Sequence, residues 1–217
     1  MSITPAFCYH NQVIDNKPKV IVFDIGGVLL NWKAVIPEVS KILNITPETF
    51  FDELQTHLKK LEIANTHQND FWQYLTDKYN NSIDSDLLKK TWIEKQTRIE
   101  SAWDLLKKVK ASGYRVVCCT NNWKDTVEKQ LELHPDFSLF EFILNSADVG
   151  VRKPDGEIYK IVEEKVGESG KDMFLIDDLK SNCEGAEKLG WQTFIFDSET
   201  DNGSKDAETI ADILEMN

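Results

Sequence analysis

Val20-Ile21-Val22-Phe23-Asp24-Ile25-Gly26-Gly27 decides how the chain is read. Three β-branched residues and a phenylalanine run without polar interruption, then stop at an aspartate, with two glycines close behind. A short apolar run bounded by a turn signal is a strand buried on both faces, followed by a tight loop. Outward from it, three more runs share the form: Tyr114 to Cys119 before Thr120-Asn121, Met173 to Ile176 before Asp177-Asp178, and Thr193 to Phe196 before Asp197. Phe142 to Leu144, before Asn145-Ser146, is a weaker fifth.

Amphipathic helical patterns separate these strands. Trp103, Leu105, Leu106 and Val109 recur at helical spacing up to Gly113, and Val127 with Leu131 marks another helix. Pro154 opens a helix carrying Ile158, Ile161 and Val162, while Cys183, Ala186 and Leu189 mark one ending at Gly190. Strands alternating with helices imply right-handed crossovers, hence an α/β, Rossmann-like parallel sheet of about five strands with helices on both faces. Such a sheet binds ligands at the carboxyl ends of its strands. One stretch breaks the alternation: Asn31 to Arg98 shows only helical patterns, at Val35 to Leu43, Pro47 to Leu61, Asp70 to Tyr79 and Ile83 to Gln96, with start signals at Thr46-Pro47 and Asp84. Helices inserted directly after the first strand's loop predict a small all-helical cap over residues 32–98, on a core of residues 19–31 and 99–217. Residues 1–18 are polar and irregular and read as an N-terminal extension.

The 217 residues carry 37 acidic and 25 basic side chains, a net charge of −12. That balance repels nucleic-acid phosphates and anionic lipid, and no basic stripe overrules it locally. No apolar run approaches the roughly 18 residues of a membrane helix, and the first twenty residues lack a signal peptide's features, so a soluble, cytoplasmic protein is expected. Cys8, Cys118, Cys119 and Cys183 show no CxxC spacing, which argues against a zinc site or disulfide framework. His10, His57, His67 and His134 are scattered and form no ligand pair.

Chemistry-bearing residues collect where the strands end. Asp24, Thr120, Asn121 and Asp177-Asp178 follow strands, and Lys153 lies in Gly150-Val151-Arg152-Lys153-Pro154. In a parallel sheet these points converge on one edge. Three carboxylates there repel one another by about 4 kcal/mol per pair at about 4 Å in a medium of effective dielectric near 20. A divalent cation relieves this, and an all-oxygen ligand set with an anionic partner favours Mg²⁺.

The segments FDIGGVL (Phe23 to Leu29), TNNW (Thr120 to Trp123), GVRKPDGEIY (Gly150 to Tyr159) and DDLKSNCEGA (Asp177 to Ala186) resemble, in order and spacing, the four motifs of the haloacid dehalogenase superfamily. The resemblance spans about Lys19 to Asp197, with the helical block where that superfamily carries its C1-type cap. It is nearest to α-glucose-1-phosphate phosphatase-like and soluble epoxide hydrolase N-terminal phosphatase-like members. By this resemblance Asp24 is the nucleophile that forms an aspartyl-phosphate, and Lys153 neutralises charge on phosphate and nucleophile. Thr120 and Asn121 would hold the phosphoryl oxygens of the substrate, a small phosphorylated metabolite; Trp123, directly after that pair, is a candidate to line the pocket. Asp24, the Gly26 carbonyl and Asp178 would ligate Mg²⁺, supported by Asp177 and Asn182.

The resemblance fails at one position. Most phosphatases of the superfamily carry a second aspartate, the general acid and base, two residues after the nucleophile; here that residue is Gly26. General acid catalysis is worth about 10²–10⁴ in rate. A phosphatase lacking it is expected to favour good leaving groups or to draw on water, the substrate or a cap residue such as His57 or His67. A 2-haloacid dehalogenase also lacks the second aspartate but needs no acidic metal pair, and a phosphate-binding module without turnover is a third alternative. Trp32, His57, Lys59, Lys60, Asn65, His67 and Trp92 are candidates for specificity in the cap.

Overall fold

The computed structural model describes residues 17–64, 67–80 and 82–216, so Cys8, His10, Asn65 and nearly all of the expected N-terminal extension lie outside it. In chain order the strands are β1 Val20–Phe23, β2 Leu30–Asn31, β3 Thr97–Arg98, β4 Arg115–Thr120, β5 Ile143–Asn145, β6 Met173–Asp177 and β7 Gln192–Ile195. The helices are α1 Ile36–Leu43, α2 Pro47–Glu62, α3 Gln68–Tyr79, α4 Ser85–Glu94, α5 Glu100–Ala111, α6 Lys124–Leu133, α7 Ser146–Val149, α8 Gly156–Val166, α9 Lys180–Glu187 and α10 Ser204–Ile213. Five strands form a parallel sheet in the order β5-β4-β1-β6-β7, the expected α/β architecture.

Burial on both faces explains the unbroken apolar runs. Ile21 and Phe23 of β1, with Cys118 and Ile176, pack beneath Trp103 and Leu106 of α5 and Ile210 of α10. Val20 and Val22, with Val117 and Leu175, pack beneath Ile158 and Val162 of α8 and Ala186 of α9. Each such side chain contributes about 1.5–3 kcal/mol by leaving water. Cys118, Cys119 and Cys183 are buried and free, packing as small hydrophobes.

Helices α1 to α4 bury a separate cluster, including Phe50, Leu54, Trp72, Leu75 and Leu88. The start signals act as expected: the Thr46 hydroxyl accepts the Thr49 N–H at 3.2 Å and Asp84 accepts the Asp86 N–H at 3.0 Å. The helical block is not wholly helical at its base, however. β2 and β3 pair antiparallel, Leu30 with Arg98 and Asn31 with Thr97, so the chain leaves and re-enters the core side by side. Two-residue strands carry no readable alternation. Two further differences are local. The helix expected to open at Pro154 begins at Gly156, and α10 has only Ile210 and Ala211 fully covered, too short an apolar stripe to stand out in the sequence. No helix among the described residues is long and apolar enough to cross a membrane.

Candidate active site

All five sheet strands point the same way, so their last residues share one edge. Asp24 directly follows β1, Thr120 ends β4, Asn145 ends β5 and Asp177 ends β6. Carboxylate oxygens of Asp24, Asp177 and Asp178 lie within 4.8 Å of one another. Lys153 comes from the loop before α8 and is completely buried between them. Its Nζ donates to Asp177 Oδ2 at 2.5 Å and to the Cys119 carbonyl at 2.7 Å, and stands 3.2 Å from Asp24 Oδ1.

Burial opposes the Lys153 ammonium, but Asp177 and Asp24 outweigh it and hold its pKa well above the ordinary lysine range. One ammonium does not balance three carboxyls. Burial, helped by the charge of Asp177, pushes Asp24 up to about 6, although Lys153 pulls the other way. Asp178 is pushed up to about 8 by burial and by the charges of Asp24 and Asp177. When all three are ionised the cluster carries two uncompensated negative charges, the charge of one divalent cation, and its donors are the hard oxygens that Mg²⁺ prefers. The residues therefore fit that ion.

The supporting contacts separate the two neighbouring aspartates. Asp177 is fully buried and its Oδ1 accepts from the Leu179 N–H and from Asn182 Nδ2, each at 2.9 Å, so both its oxygens are engaged. Asp178 is half-buried and faces Gly27: a Cβ there would stand 2.2 Å from Asp178 Oδ2, and Gly27 has a φ of +77°. Only glycine fits both constraints. At Gly26 a Cβ would meet Trp32 Cδ1 at 3.3 Å. A side chain at 26 would therefore require the half-buried indole of Trp32 to give by a few tenths of an ångström.

Asn121 is committed to the backbone of Lys153, donating from Nδ2 to its carbonyl at 2.9 Å and accepting its N–H at 2.8 Å. It clamps the lysine's loop. The buried Thr120 hydroxyl lies near enough to favour the charged form of Asp24, yet makes no hydrogen bond of good geometry. Asn145, its register partner in β5, is 1% exposed, and neither atom of its side-chain amide is hydrogen-bonded. Two buried polar groups left open beside the carboxylates suit an anion's oxygens. Asn145 carries no motif, and only its place at a strand end marked it.

Trp123 departs from expectation. Its ring is 2% exposed, stacks on Trp92 with centroids 5.3 Å apart, and packs against Phe71 and Trp72. It anchors the loop after β4 to the helical block instead of lining a pocket. Each histidine considered for proton transfer has one ring nitrogen engaged by the backbone. His57 Nδ1 bonds the Glu53 carbonyl at 2.9 Å and its ring lies against Phe71 and Tyr74, while His67 accepts the Asn69 N–H at the start of α3. Lys59 and Lys60 are exposed. Glu62, which no motif singled out, is buried at the end of α2 and paired with Arg152, next to Lys153.

The chain is similar to a sesquiterpene phosphatase of Aspergillus oryzae, 26% identical over 191 residues that cover 79% of this chain and 86% of that enzyme. It is also similar to bifunctional epoxide hydrolase 2 of Sus scrofa, 26% identical over 48% of this chain but only 20% of that larger protein. Among solved structures, a haloacid dehalogenase family enzyme of Bacteroides thetaiotaomicron aligns with a TM-score of 0.73 at 25% identity, covering 86% of this chain and 97% of that one. The same enzyme has been solved in complex with magnesium and inorganic phosphate. The family model for haloacid dehalogenase-like hydrolases matches residues 21–196, and the chain belongs to that family.

Proposed function

We propose that this hydrolase is a Mg²⁺-dependent phosphatase that cleaves a small phosphomonoester through an aspartyl-phosphate on Asp24. The observation that carries the reading is the buried Lys153, held between Asp24 and Asp177 in a cluster short of two positive charges. The magnesium and phosphate bound by the Bacteroides enzyme and the activity named for the Aspergillus relative support it.

In this reading Asp24 Oδ1 is fixed by the Ile25 N–H at 2.7 Å and by Lys153, which leaves Oδ2 the freer oxygen to attack phosphorus. Lys153 offsets charge on the incoming phosphoryl group, and Thr120 supplies its open hydroxyl. Asn121 orients Lys153 through its backbone, so its own share in phosphate binding falls to its main-chain N–H. Bound by Asp24, Asp178 and the Gly26 carbonyl, with Asp177 and Asn182 holding the loop, Mg²⁺ would neutralise the carboxylates and draw charge from the transferring phosphoryl group. The helical block over residues 32–98 acts as a cap that excludes water and selects the leaving group.

Two results are expected. Turnover across a panel of phosphomonoesters should require Mg²⁺ and stop in EDTA, and Mg²⁺ at 100 times its Kd should stabilise the protein by about 2.7 kcal/mol in thermal unfolding. Metal-independent turnover would overturn the reading. Gly27→Ala should abolish that stabilisation, because its methyl group must displace the Asp178 carboxylate; a Mg²⁺ response equal to the parent's would show that Asp178 does not hold the ion.

A further inference from the structure

The phosphatase reading needs a proton donor for the leaving-group oxygen, and Gly26 has none to offer. Glu62 is the one buried carboxyl of the helical block among the described residues. It is the last residue of α2, and two contacts fix that helix end to the core edge where Asp24 lies. The Glu62 carbonyl accepts the Ser146 hydroxyl at 2.5 Å, at the start of α7, and Oε2 stands 2.6 Å from Arg152 Nε, in the residue before Lys153. The side chain is 7% exposed and Oε2 is sealed, and the charges of Asp24 and Lys153 act on the carboxyl. The ion pair also lacks hydrogen-bond alignment at both Oε2 and Nε. The carboxyl is thus buried against a partly exposed guanidinium, with no hydrogen bond of good geometry completing the pair.

We propose that Glu62 is the general acid and base of this enzyme, reaching the leaving-group oxygen from the cap and replacing the absent carboxyl at position 26. The proposal rests on the phosphatase reading above. In the first displacement Asp24 Oδ2 bonds to phosphorus, the bond from phosphorus to the ester oxygen breaks, and that oxygen leaves as an alcohol carrying the Glu62 proton. In the second, water attacks the aspartyl-phosphate, Glu62 takes the water's proton, and the bond to Asp24 breaks to release phosphate. Both carboxyls end as they began.

The surroundings suit a carboxyl that is protonated for part of the neutral range. Burial pushes Glu62 up to about 7; Arg152 and Lys153 act against the rise, and the charge of Asp24 adds to it. Its place in the last turn of α2 also sets it at the negative end of the helix dipole. Asp177 and Asp178 lie in the same site, buried and half-buried, while Lys59 and Lys60 on α2 and Asp148 on α7 are exposed.

The test compares two substrates on the Mg²⁺-loaded full chain. 4-Nitrophenyl phosphate releases a phenolate that leaves without a proton, whereas n-propyl phosphate needs one. Glu62→Gln should lower kcat/KM for propyl phosphate by about 10²–10⁴ and for the aryl ester by less than about tenfold, with Glu62→Asp recovering part of the loss. Since the acid must be protonated, the parent's rate on propyl phosphate should fall as pH rises through about 7, and Glu62→Gln should remove that limb. Arg152→Gln takes away a charge that holds the pKa down, so it should move the limb to higher pH. Equal losses on both esters would make Glu62 a structural latch and overturn the proposal, as would unchanged rates on both. If the parent hydrolyses neither these nor any other phosphomonoester, the phosphatase reading itself falls and the proposal with it.

Discussion

Asp24→Asn is expected to cut turnover by about 10⁴-fold or more while leaving the fold intact. The change is nearly isosteric, and the amide oxygen still accepts the Ile25 N–H that now bonds Oδ1 at 2.7 Å. What disappears is a nucleophile, because an amide does not open a phosphoester, and losing the nucleophile of a catalytic unit removes most of the unit's rate enhancement. Removing this carboxylate also relieves Asp178 of one of the charges that raise it, so the variant should unfold at a temperature no lower than the parent by more than a few degrees. The decisive measurement is covalent: acid-quenched parent protein should carry radiolabel from a labelled phosphomonoester, and the variant none. A variant that kept more than about one hundredth of parental turnover would place the nucleophile elsewhere.

Lys153→Met should have the largest effect on stability. Methionine keeps much of the stem's volume and removes the ammonium, leaving Asp24 and Asp177 in the interior without their cation. Breaking a buried ion pair by deleting one partner costs about 3–5 kcal/mol, because the other charge stays where it was. At this chain length that is a fall of about 6 to 20 °C in Tm. Activity should vanish as well. The two losses can be separated by adding Asp177→Asn: the double variant should recover part of the stability, since one stranded charge is gone, and none of the activity. A fall in stability below about 1 kcal/mol would mean that the pair at 2.5 Å contributes little.

The sheet was legible because its strands obey one rule. Val20 to Phe23 and Met173 to Ile176 are apolar throughout, being covered on both faces, and each ends at an aspartate on the working edge. The carboxylate cluster followed from that rule alone. What stayed hidden depends on contacts between distant segments. Asn121 sits in a motif, yet nothing in TNNW says that its amide grips the backbone of Lys153, thirty-two positions on. Trp123 reads equally well as a pocket wall or a packing residue, and only Trp72 and Trp92, brought by α3 and α4, decide for packing. Glu62 was hidden for a related reason. A glutamate between Leu61 and Ile63 looks like any solvated helix position until Arg152 is found facing it.

Trp32 over Gly26 also bears on how this site can change with time. An aspartate reintroduced at 26 would start 3.3 Å from an indole that is stacked on Phe51 and tilted against Trp92, so one substitution disturbs three rings. The reverse order, a smaller residue at 32 first, opens the cap's aromatic wall before any acid is present to use the space. Positions 26 and 32 are therefore coupled: a carboxyl in the first loop calls for an adjustment of the cap's aromatic wall, whereas one contributed by the helical block does not.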